Sequence, residues 1–238
     1  MRIALLGYGK MGKAIEQIAL NRNNSITHRI DIDNISEIEL LDKEKVDVAI
    51  EFSRPESAFE NIKSCLLKGI PVVSGTTGWL DKKSEIDALV QSTDAAFFYA
   101  SNYSIGVNLF FTFNKMLAKI MNGSEGYETS MEEIHHTEKL DAPSGTAITL
   151  AEGIIENSNT LNEWVNEASD KANQLPIISK REPDVPGTHS IAYQSKVDTI
   201  EIKHTAHSRE GFALGAVRVA EWIVGKRGVL SMEDFLKQ

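Results

Sequence analysis

Cysteine is almost absent from this chain: Cys65 is the only one in 238 residues. A disulfide within the chain is therefore impossible and a thiolate metal cage is excluded. Its place in FENIKSCLL sets it on the apolar face of a helix, where core packing is the expected role. Long apolar runs are missing as well. No stretch approaches the roughly 18–20 residues that cross a bilayer. The opening MRIALLGYGKMG has neither the basic flank nor the cleavable apolar stretch of a secretion signal. The expectation is a cytoplasmic chain that folds from its first residue and has no membrane partner. Positive charge is in deficit too, with 25 Lys and Arg against 34 Asp and Glu and a formal net charge of −9. A nucleic-acid partner would need a clustered basic face, and none is visible. Any anionic small ligand must then meet a local group of cations within an acidic protein. Internal repeats and low-complexity tracts are absent.

What is present is an ordinary globular balance of 42% hydrophobic and 25% charged residues, over a length that suits two modest domains. Residues 2–6 (RIALL) form a short apolar run ending at Gly7, after which Met11, Ala14, Ile15, Ile18 and Ala19 recur at helical spacing. That is a strand, a glycine turn and an amphipathic helix. A second strand over Ser25–Ile30 stops at Asp31, and VDVAIEFS, IPVVSGTT and AAFFYAS are apolar runs stopping at small polar residues. Helical stretches around 55–68 and 81–91 lie between them. This alternation predicts a doubly wound parallel sheet of Rossmann type, with its ligand off the carboxyl ends of the strands. From about residue 106 the alternation fails. A helix (VNLFFTFNKMLAKIM), a strand (ETSMEEIHH), another helix (AITLAEGIIE) and an irregular stretch containing Pro176, Pro183 and Pro186 follow. DTIEIKHTA then reads as a strand with Ile200, Ile202 and His204 on one face, which suits an open mixed sheet in an inserted α+β domain. GFALGAVRVAEWIVGK closes the chain as a helix.

Two clusters carry chemistry. In Gly7-Tyr8-Gly9-Lys10-Met11-Gly12, the first glycine permits the bend, the second lets the backbone approach a pyrophosphate, and the third lets helix and strand lie close. The helix start offers unpaired N–H groups to the phosphates. Asp31, about 20 residues on, is placed to accept hydrogen bonds from the ribose hydroxyls, with Asp33 a rival for the role. The second cluster is EIHHTEKLDAPSGTA, residues 133–147. Histidine titrates near neutrality, so His135 or His136 can deliver a proton during a reduction. Lys139 supplies a cation or a second proton donor. The Ser144-Gly145-Thr146 turn, opening a helix, offers N–H groups and a hydroxyl to a carboxylate. Adjacent strand residues point to opposite faces, so no more than one of the two histidines easily enters a given pocket unless the strand ends there. A metal site from His135, His136 and His189 would lack thiols and any carboxylate at ligand spacing, and none is expected.

The glycine turn, VAIEFSRP (48–55), GTTG (75–78), SNYSIGVN (101–108), HHTEKLDAPSGTA (135–147) and REGFALGA (209–216) resemble successive motifs of the dihydrodipicolinate reductase family over nearly the whole chain. The resemblance implies a dinucleotide-binding domain over 1–105 with 209–238, and a substrate-binding and tetramerisation domain over 106–208. It implies NAD(P)H-dependent reduction of a cyclic imine dicarboxylate in diaminopimelate and lysine biosynthesis, by a homotetramer. His135 and Lys139 then resemble the proton-handling pair, and His136, Ser144, Gly145 and Thr146 the substrate ligands. Gly7 to Gly12, Asp31, Gly75, Thr76, Thr77, Ser101, Asn102, Tyr103 and Ser104 resemble the cofactor contacts. Ile32 stands where several relatives carry arginine, and the turn has the short form of NAD-binding proteins; both point to NADH, with Arg29 and Lys10 as the cations that would still reach a 2′-phosphate. Another two-domain dehydrogenase of small carboxylates, or a non-catalytic dinucleotide-binding redox sensor, are the alternative classes. A sensor would need no HHxxK cluster beside an anion site.

Overall fold

A computed structural model describes residues 1–208 and 210–237. Arg209, the first residue of the returning REGFALGA motif, lies outside the described residues, as does Gln238. The chain divides into two compact units, Met1–Ile105 with Glu210–Gln238, and Gly106–Arg209.

In the first unit, β1 (Arg2–Leu6), α1 (Lys10–Asn21), β2 (Ser25–Ile30), β3 (Val48–Glu51), α2 (Pro55–Leu67), β4 (Val72–Ser74), α3 (Lys83–Gln91) and β5 (Ala96–Tyr99) follow one another. The return adds α6 (Glu210–Ile223), β11 (Gly228–Leu230) and α7 (Met232–Leu236). Six strands pair in the order β11-β5-β4-β3-β1-β2, every pair parallel. The order reverses at β1, so the turn after β1 sits at the crevice where α/β sheets bind ligands. Both faces of the sheet are covered at its centre, which is why β1, β3, β4 and β5 read as apolar runs, whereas the edge strand β2 (SITHRI) alternates with exposed residues. Ala4, Leu6, Ala49, Val72 and Phe97 pack with Ile62, Leu66, Ile86 and Val90 on one side. Ile3, Leu5, Val48, Ile50, Val73 and Phe98 pack with Ile15, Ala19, Ala213, Val217 and Ala220 on the other. Each Val, Leu, Ile or Phe among them, fully buried, contributes about 1.5–3 kcal/mol. Cys65 belongs to the first of these clusters, and burial pushes its thiol up to about 12, which makes it inert at neutral pH.

The second unit holds α4 (Ile105–Met121, its first residue belonging to the first unit), β6 (Glu128–His135), α5 (Gly145–Ile155), β7 (Glu163–Val165), β8 (Gln174–Arg181), β9 (Gly187–Gln194) and β10 (Thr199–Ala206). Its sheet runs β10-β9-β6-β8-β7, antiparallel from β10 to β6 and parallel from β6 to β7. Phe110, Ala118 and Met121 of α4 and Ala147, Leu150, Ala151 and Ile154 of α5 pack on Met131, Leu175, Ile177, Ile191 and Tyr193. The stretch expected to be irregular is corrected here, because it contains β8 and β9. Pro176 cannot donate to a ladder and so argued against a strand. It sits one residue before the β6 pairing begins at Ile177, opposite Val165 of the three-residue strand β7, where the missing donor is tolerated.

Helix α6 comes so near the chain at residue 103 that a Cβ on Gly215 would overlap the Tyr103 carbonyl oxygen. Backbone atoms cannot swing aside as a side-chain tip does. Gly215→Ala is therefore expected to destabilise the chain by about 2–4 kcal/mol, which for a chain of this size lowers the melting temperature by about 5–10 °C. A calorimetric melt within a degree of the parent would refute the close packing.

Candidate active site

The glycine turn is built as its residue types demand. Gly7 has φ +92°, its N–H donates to Ile30 O (2.8 Å), and a Cβ there would overlap the Phe52 carbonyl. A Cβ on Gly12 would overlap Gly7 O. Gly9 differs from both: its φ is −77° and a Cβ would meet nothing within 4 Å. No packing among the described residues fills the space a Cβ would take at Gly9, so the turn is open on that side. Gly9 is also the N-cap of α1, with no side-chain cap and no acidic residue in the first turn, where Lys10 and Met11 stand. The first N–H groups of that helix lack intrahelical partners and favour an anion.

The other candidate contacts follow the carboxyl ends of β2, β4 and β5. Asp31 caps a short 3-10 helix, Ile32–Leu40, with its carboxylate accepting from Ile32 N–H (3.0 Å), while its own N–H donates to Asn34 Oδ1 (2.7 Å). Arg29 forms an ion pair with Glu16, which also accepts the Tyr8 hydroxyl. The guanidinium and the hydroxyl hold Glu16 below the usual carboxylate range against partial burial. After β4, a Cβ on Gly75 would overlap the Phe52 ring. Thr76 Oγ1 donates to Glu51 (2.9 Å) and accepts from Ser53 N–H (2.9 Å), while Thr77 is exposed. After β5, Ser101 is exposed and Asn102 Oδ1 accepts from Ser104 N–H (2.8 Å). Tyr103 is buried with its hydroxyl donated to Ser74 O (2.7 Å), so its ring belongs to the core and only its backbone can face a ligand. Glu51, which sequence reading gave no role, is fully buried at the end of β3. It accepts from Ser53, Ser74 and Thr76, joining the loops after β3 and β4.

In the second unit the strand period of two puts Met131, Glu133 and His135 on the helix-covered face of β6. Register sets Glu133 between Ser179 of β8 and His189 of β9, and His135 beside Arg181. The Glu133 carboxylate has no exposed surface, and His135 and His189 are 7% and 5% exposed. Ser144 N–H donates to both carboxylate oxygens (3.1 Å each) and Ser179 Oγ donates to Oε1 (2.8 Å). Arg181 Nη2 stands 3.5 Å from Oε1, His135 Nδ1 3.5 Å and His189 Nε2 3.7 Å from Oε2. Burial acts to raise the Glu133 pKa, but the hydrogen bonds from Ser144 and Ser179 and the nearby His135 outweigh it, and the net direction is down. Burial lowers His135, opposed by Glu133 and reinforced by Lys139 and Arg181. Burial and the neighbouring His135 bring His189 to about 4, so it is neutral at pH 7.

The remaining candidates surround this cluster. His136 follows the end of β6 and lines a depression of about 310 Å³ with Thr137, Glu138 and the 183–186 loop. Lys139 Nζ holds both oxygens of Asp141 (2.9 Å each), and Arg181 donates to the Lys139 and Asp141 carbonyls (3.2 and 2.6 Å), clamping that loop. Ser144 is the N-cap of α5, its Oγ accepting from Ala147 N–H (3.2 Å). The N–H groups of Gly145 and Thr146 stand at the helix start, where the α-helical pattern supplies no partner. Among the described residues, ligand atoms of Glu133, His135 and His189 lie within 4.8 Å of one another. His136 is not in that group, and a carboxylate is, contrary to the spacing argument from sequence, because register rather than sequence distance brings it there.

A glycine turn at the switch point of a parallel sheet, with a titratable cluster beside a helix start on a separate mixed sheet, defines a dinucleotide-dependent oxidoreductase of the two-unit type. Comparison with known proteins makes this specific. Residues 1–103 match the model for the N-terminus of dihydrodipicolinate reductase and residues 106–236 the model for its C-terminus. The chain is 52% identical over 236 residues to the 4-hydroxy-tetrahydrodipicolinate reductase of Christiangramia forsetii, covering 99% of this chain and 98% of that protein. It is 33% identical over 200 residues to that of Methanoregula boonei, covering 83% and 77%. A dipicolinate-bound dihydrodipicolinate reductase from a Paenisporosarcina species shares the fold, with a TM-score of 0.79 at 23% identity and 97% of each chain covered. An amine dehydrogenase from Mycobacterium smegmatis shares it more distantly, with a TM-score of 0.60 at 10% identity and 98% and 95% covered. The chain belongs to the dihydrodipicolinate reductase family, NAD(P)H-dependent oxidoreductases of diaminopimelate and lysine biosynthesis. No helix among the described residues is long and apolar enough to cross a membrane.

The open space at Gly9 generates a test. Gly9→Val should lower the melting temperature by no more than about 4 °C, since a Cβ meets nothing there and the poorer N-cap costs about 1 kcal/mol. It should weaken dinucleotide binding at least about a hundredfold, the equivalent of about 2.7 kcal/mol. Nucleotide fluorescence titration showing parental affinity would remove the pyrophosphate from this turn.

Proposed function

We propose that this chain reduces a cyclic imine dicarboxylate to tetrahydrodipicolinate at the His135 cluster, with NADH as the preferred reductant, as a cytoplasmic homotetramer. The observation that carries the reading is His135, seated at the end of β6 between a buried carboxylate and the Lys139 loop, in a chain 52% identical over its length to a named reductase of this substrate. The first unit is the dinucleotide-binding domain and the second the substrate domain. The residues around the glycine turn fit the dinucleotide, because Gly9 leaves open space in front of an uncapped helix start. Bound there, the nicotinamide supplies a hydride to the electron-poor ring carbon. The protein's part is to hold the ring, balance its charge and deliver the proton. His135 delivers that proton and Lys139 steadies the developing charge or acts as second donor. The start of α5, through Ser144, Gly145 and Thr146, takes a ring carboxylate, and His136 is a further substrate ligand. Glu138 and Asp184, which line the depression beside His136, would repel a dianion, so the carboxylate seat lies with Lys139 and α5. The homotetramer is supported by an exposed apolar stripe on α4, Leu109, Phe113, Met116 and Ile120, which association would remove from water.

The test is loss of reduced nicotinamide on adding freshly made product of dihydrodipicolinate synthase, compared with 2-oxo acids and aldehydes. Turnover of the latter alone would replace the reading with another small-carboxylate dehydrogenase. In the same assay Lys139→Ala should lower kcat by at least about a hundredfold with cofactor affinity unchanged. A rise in KM alone would make the lysine only a carboxylate ligand.

Cofactor preference follows from Arg29. Its guanidinium is neutralised by Glu16, so the cation nearest Asp31 in sequence is not available to a 2′-phosphate. NADH should therefore be used at least as efficiently as NADPH, and Glu16→Ala, by releasing Arg29, should raise the kcat/KM ratio of NADPH to NADH about tenfold, the equivalent of one phosphate ion pair of about 1.4 kcal/mol. An unchanged ratio would clear Arg29 of any part in the choice.

A further inference from the structure

The Glu133 carboxylate stands 3.5 Å from His135 Nδ1, and nothing in the reduction itself requires it. It is nonetheless the most enclosed charge in the unit, with both oxygens filled by Ser144 N–H and Ser179 Oγ–H and with Arg181 3.5 Å away. His135 turns Nδ1 toward the carboxylate at 3.5 Å, an ion-pair distance at which Nδ1 makes no hydrogen bond. The ring of His189 stands nearly perpendicular to that of His135, 73° between planes and 5.0 Å between centroids. Its Nε2 is 3.2 Å from Ser144 Oγ and 3.7 Å from the same Glu133 oxygen. Gly187 lies by the Nε2–Cδ2 edge of His135, where a Cβ would come within 3.1 Å of Nε2, so the absence of a side chain there keeps that edge clear.

From this arrangement we propose that Glu133 and His189 are positioning residues for His135, fixing its ring with the proton on Nδ1 toward the carboxylate so that Nε2 is the atom that exchanges a proton with substrate. The proposal rests on the reductase reading for what Nε2 does, but the ring's state in the free protein does not depend on that reading. A negative charge beside Nδ1 draws the N–H to that nitrogen, and the tautomer of a histidine is set by the partner of its other nitrogen. His189, neutral at pH 7, wedges the ring from the side and ties it to Ser144 without adding a competing charge. The same carboxylate holds Ser144 N–H, one residue before α5 begins. One buried group thus sets both the proton-bearing ring and the helix start that takes the ring carboxylate. Glu133, His135 and His189 could also be read as metal ligands. The Arg181 guanidinium at the carboxylate and the two hydrogen bonds already filling its oxygens favour the positioning role, because an entering cation would have to displace donors and face a fixed positive charge.

The charged and titratable groups around His135 are Glu133 on its own strand, Arg181 on β8, His189 on β9, and Lys139 and Asp141 in the following loop. The test uses the full chain, ¹⁵N-labelled, with His135→Gln to assign its ring. Imidazole spectra without substrate should show His135 as the Nδ1–H tautomer, and Glu133→Gln should reduce that preference. Glu133→Gln keeps the size and can still accept from Ser144 N–H, so its melting temperature reports whether it folds. Folded, it should lower kcat at least about tenfold with little change in KM. Its activity should also fail at lower pH on the alkaline side, because the charge that raises the His135 pKa is gone. His189→Asn should lower kcat in the same way but without that pH displacement. An Nε2–H tautomer in the parent overturns the proposal, as does a Glu133→Gln variant whose activity loss follows its melting temperature with no change in pH profile. Loss of activity on chelation, restored by zinc, overturns it in favour of a metal site. If the parent reduces no such substrate, the reductase reading fails, and the tautomer alone decides whether the ring is positioned as stated.

Discussion

An ionised carboxylate with no exposed surface is the constraint around which the second unit is organised. Removing such a charge from water costs several kcal/mol after relaxation, and the cost is met only when the oxygens are filled with good geometry. Glu133 meets it with donors from two further places in the chain, Ser144 and Ser179, and with the Arg181 guanidinium alongside. Two elements fix these groups: β8 holds Ser179 and Arg181, and the start of α5 holds Ser144. If β8 slipped by one residue against β6, Ser179 and Arg181 would turn to the other face and leave the charge unpaired. The carboxylate therefore selects the register of the sheet as well as occupying it.

The first unit solves a related problem with Glu51. That side chain is fully buried at the carboxyl end of β3 and gathers Ser53 from the loop after β3, Ser74 from the end of β4 and Thr76 from the loop after it. In both units a buried acceptor converts loops at strand ends, which would otherwise be loosely held, into fixed geometry. The difference is in what stands beside it. Glu51 has hydroxyls and a backbone N–H for partners and so serves shape, whereas Glu133 has two imidazoles within 4 Å and so also reaches a titratable ring.

Legibility in the sequence followed the range of the interactions. The glycine turn, the alternating strands and helices, the change of character near residue 106 and the N-cap at Ser144 are local patterns, and they were readable because each rests on residues a few positions apart. Glu133 was visible as a letter at the head of EIHHTEKLDAPSGTA but carried no signal. Its partners are 11, 46 and 56 residues away along the chain, the last two brought to it by strand register and the first by the start of α5. β8 was missed for the opposite reason. A local rule against proline in strands is sound, and it failed because Pro176 lies outside the ladder with β6. His189 had been weighed as a ligand beside His136, since sequence alone could not show that His136 leaves the strand and His189 faces Glu133.

Which cation is free for an anionic substrate is decided by burial rather than by the number of cations. Arg181 stands beside a carboxylate with no exposed surface and donates to three backbone carbonyls, so moving it would strand a buried charge at a cost of about 3–5 kcal/mol. Lys139 pairs with Asp141, whose side chain is 60% exposed. Such a pair is worth about 0–1 kcal/mol, because water takes over the acid's hydrogen bonds as soon as the lysine leaves. Exchanging the partner of Lys139 therefore costs little, and exchanging that of Arg181 costs much. In a protein of net charge −9, that difference leaves one cation in this loop able to exchange partners, while the other holds the loop in place.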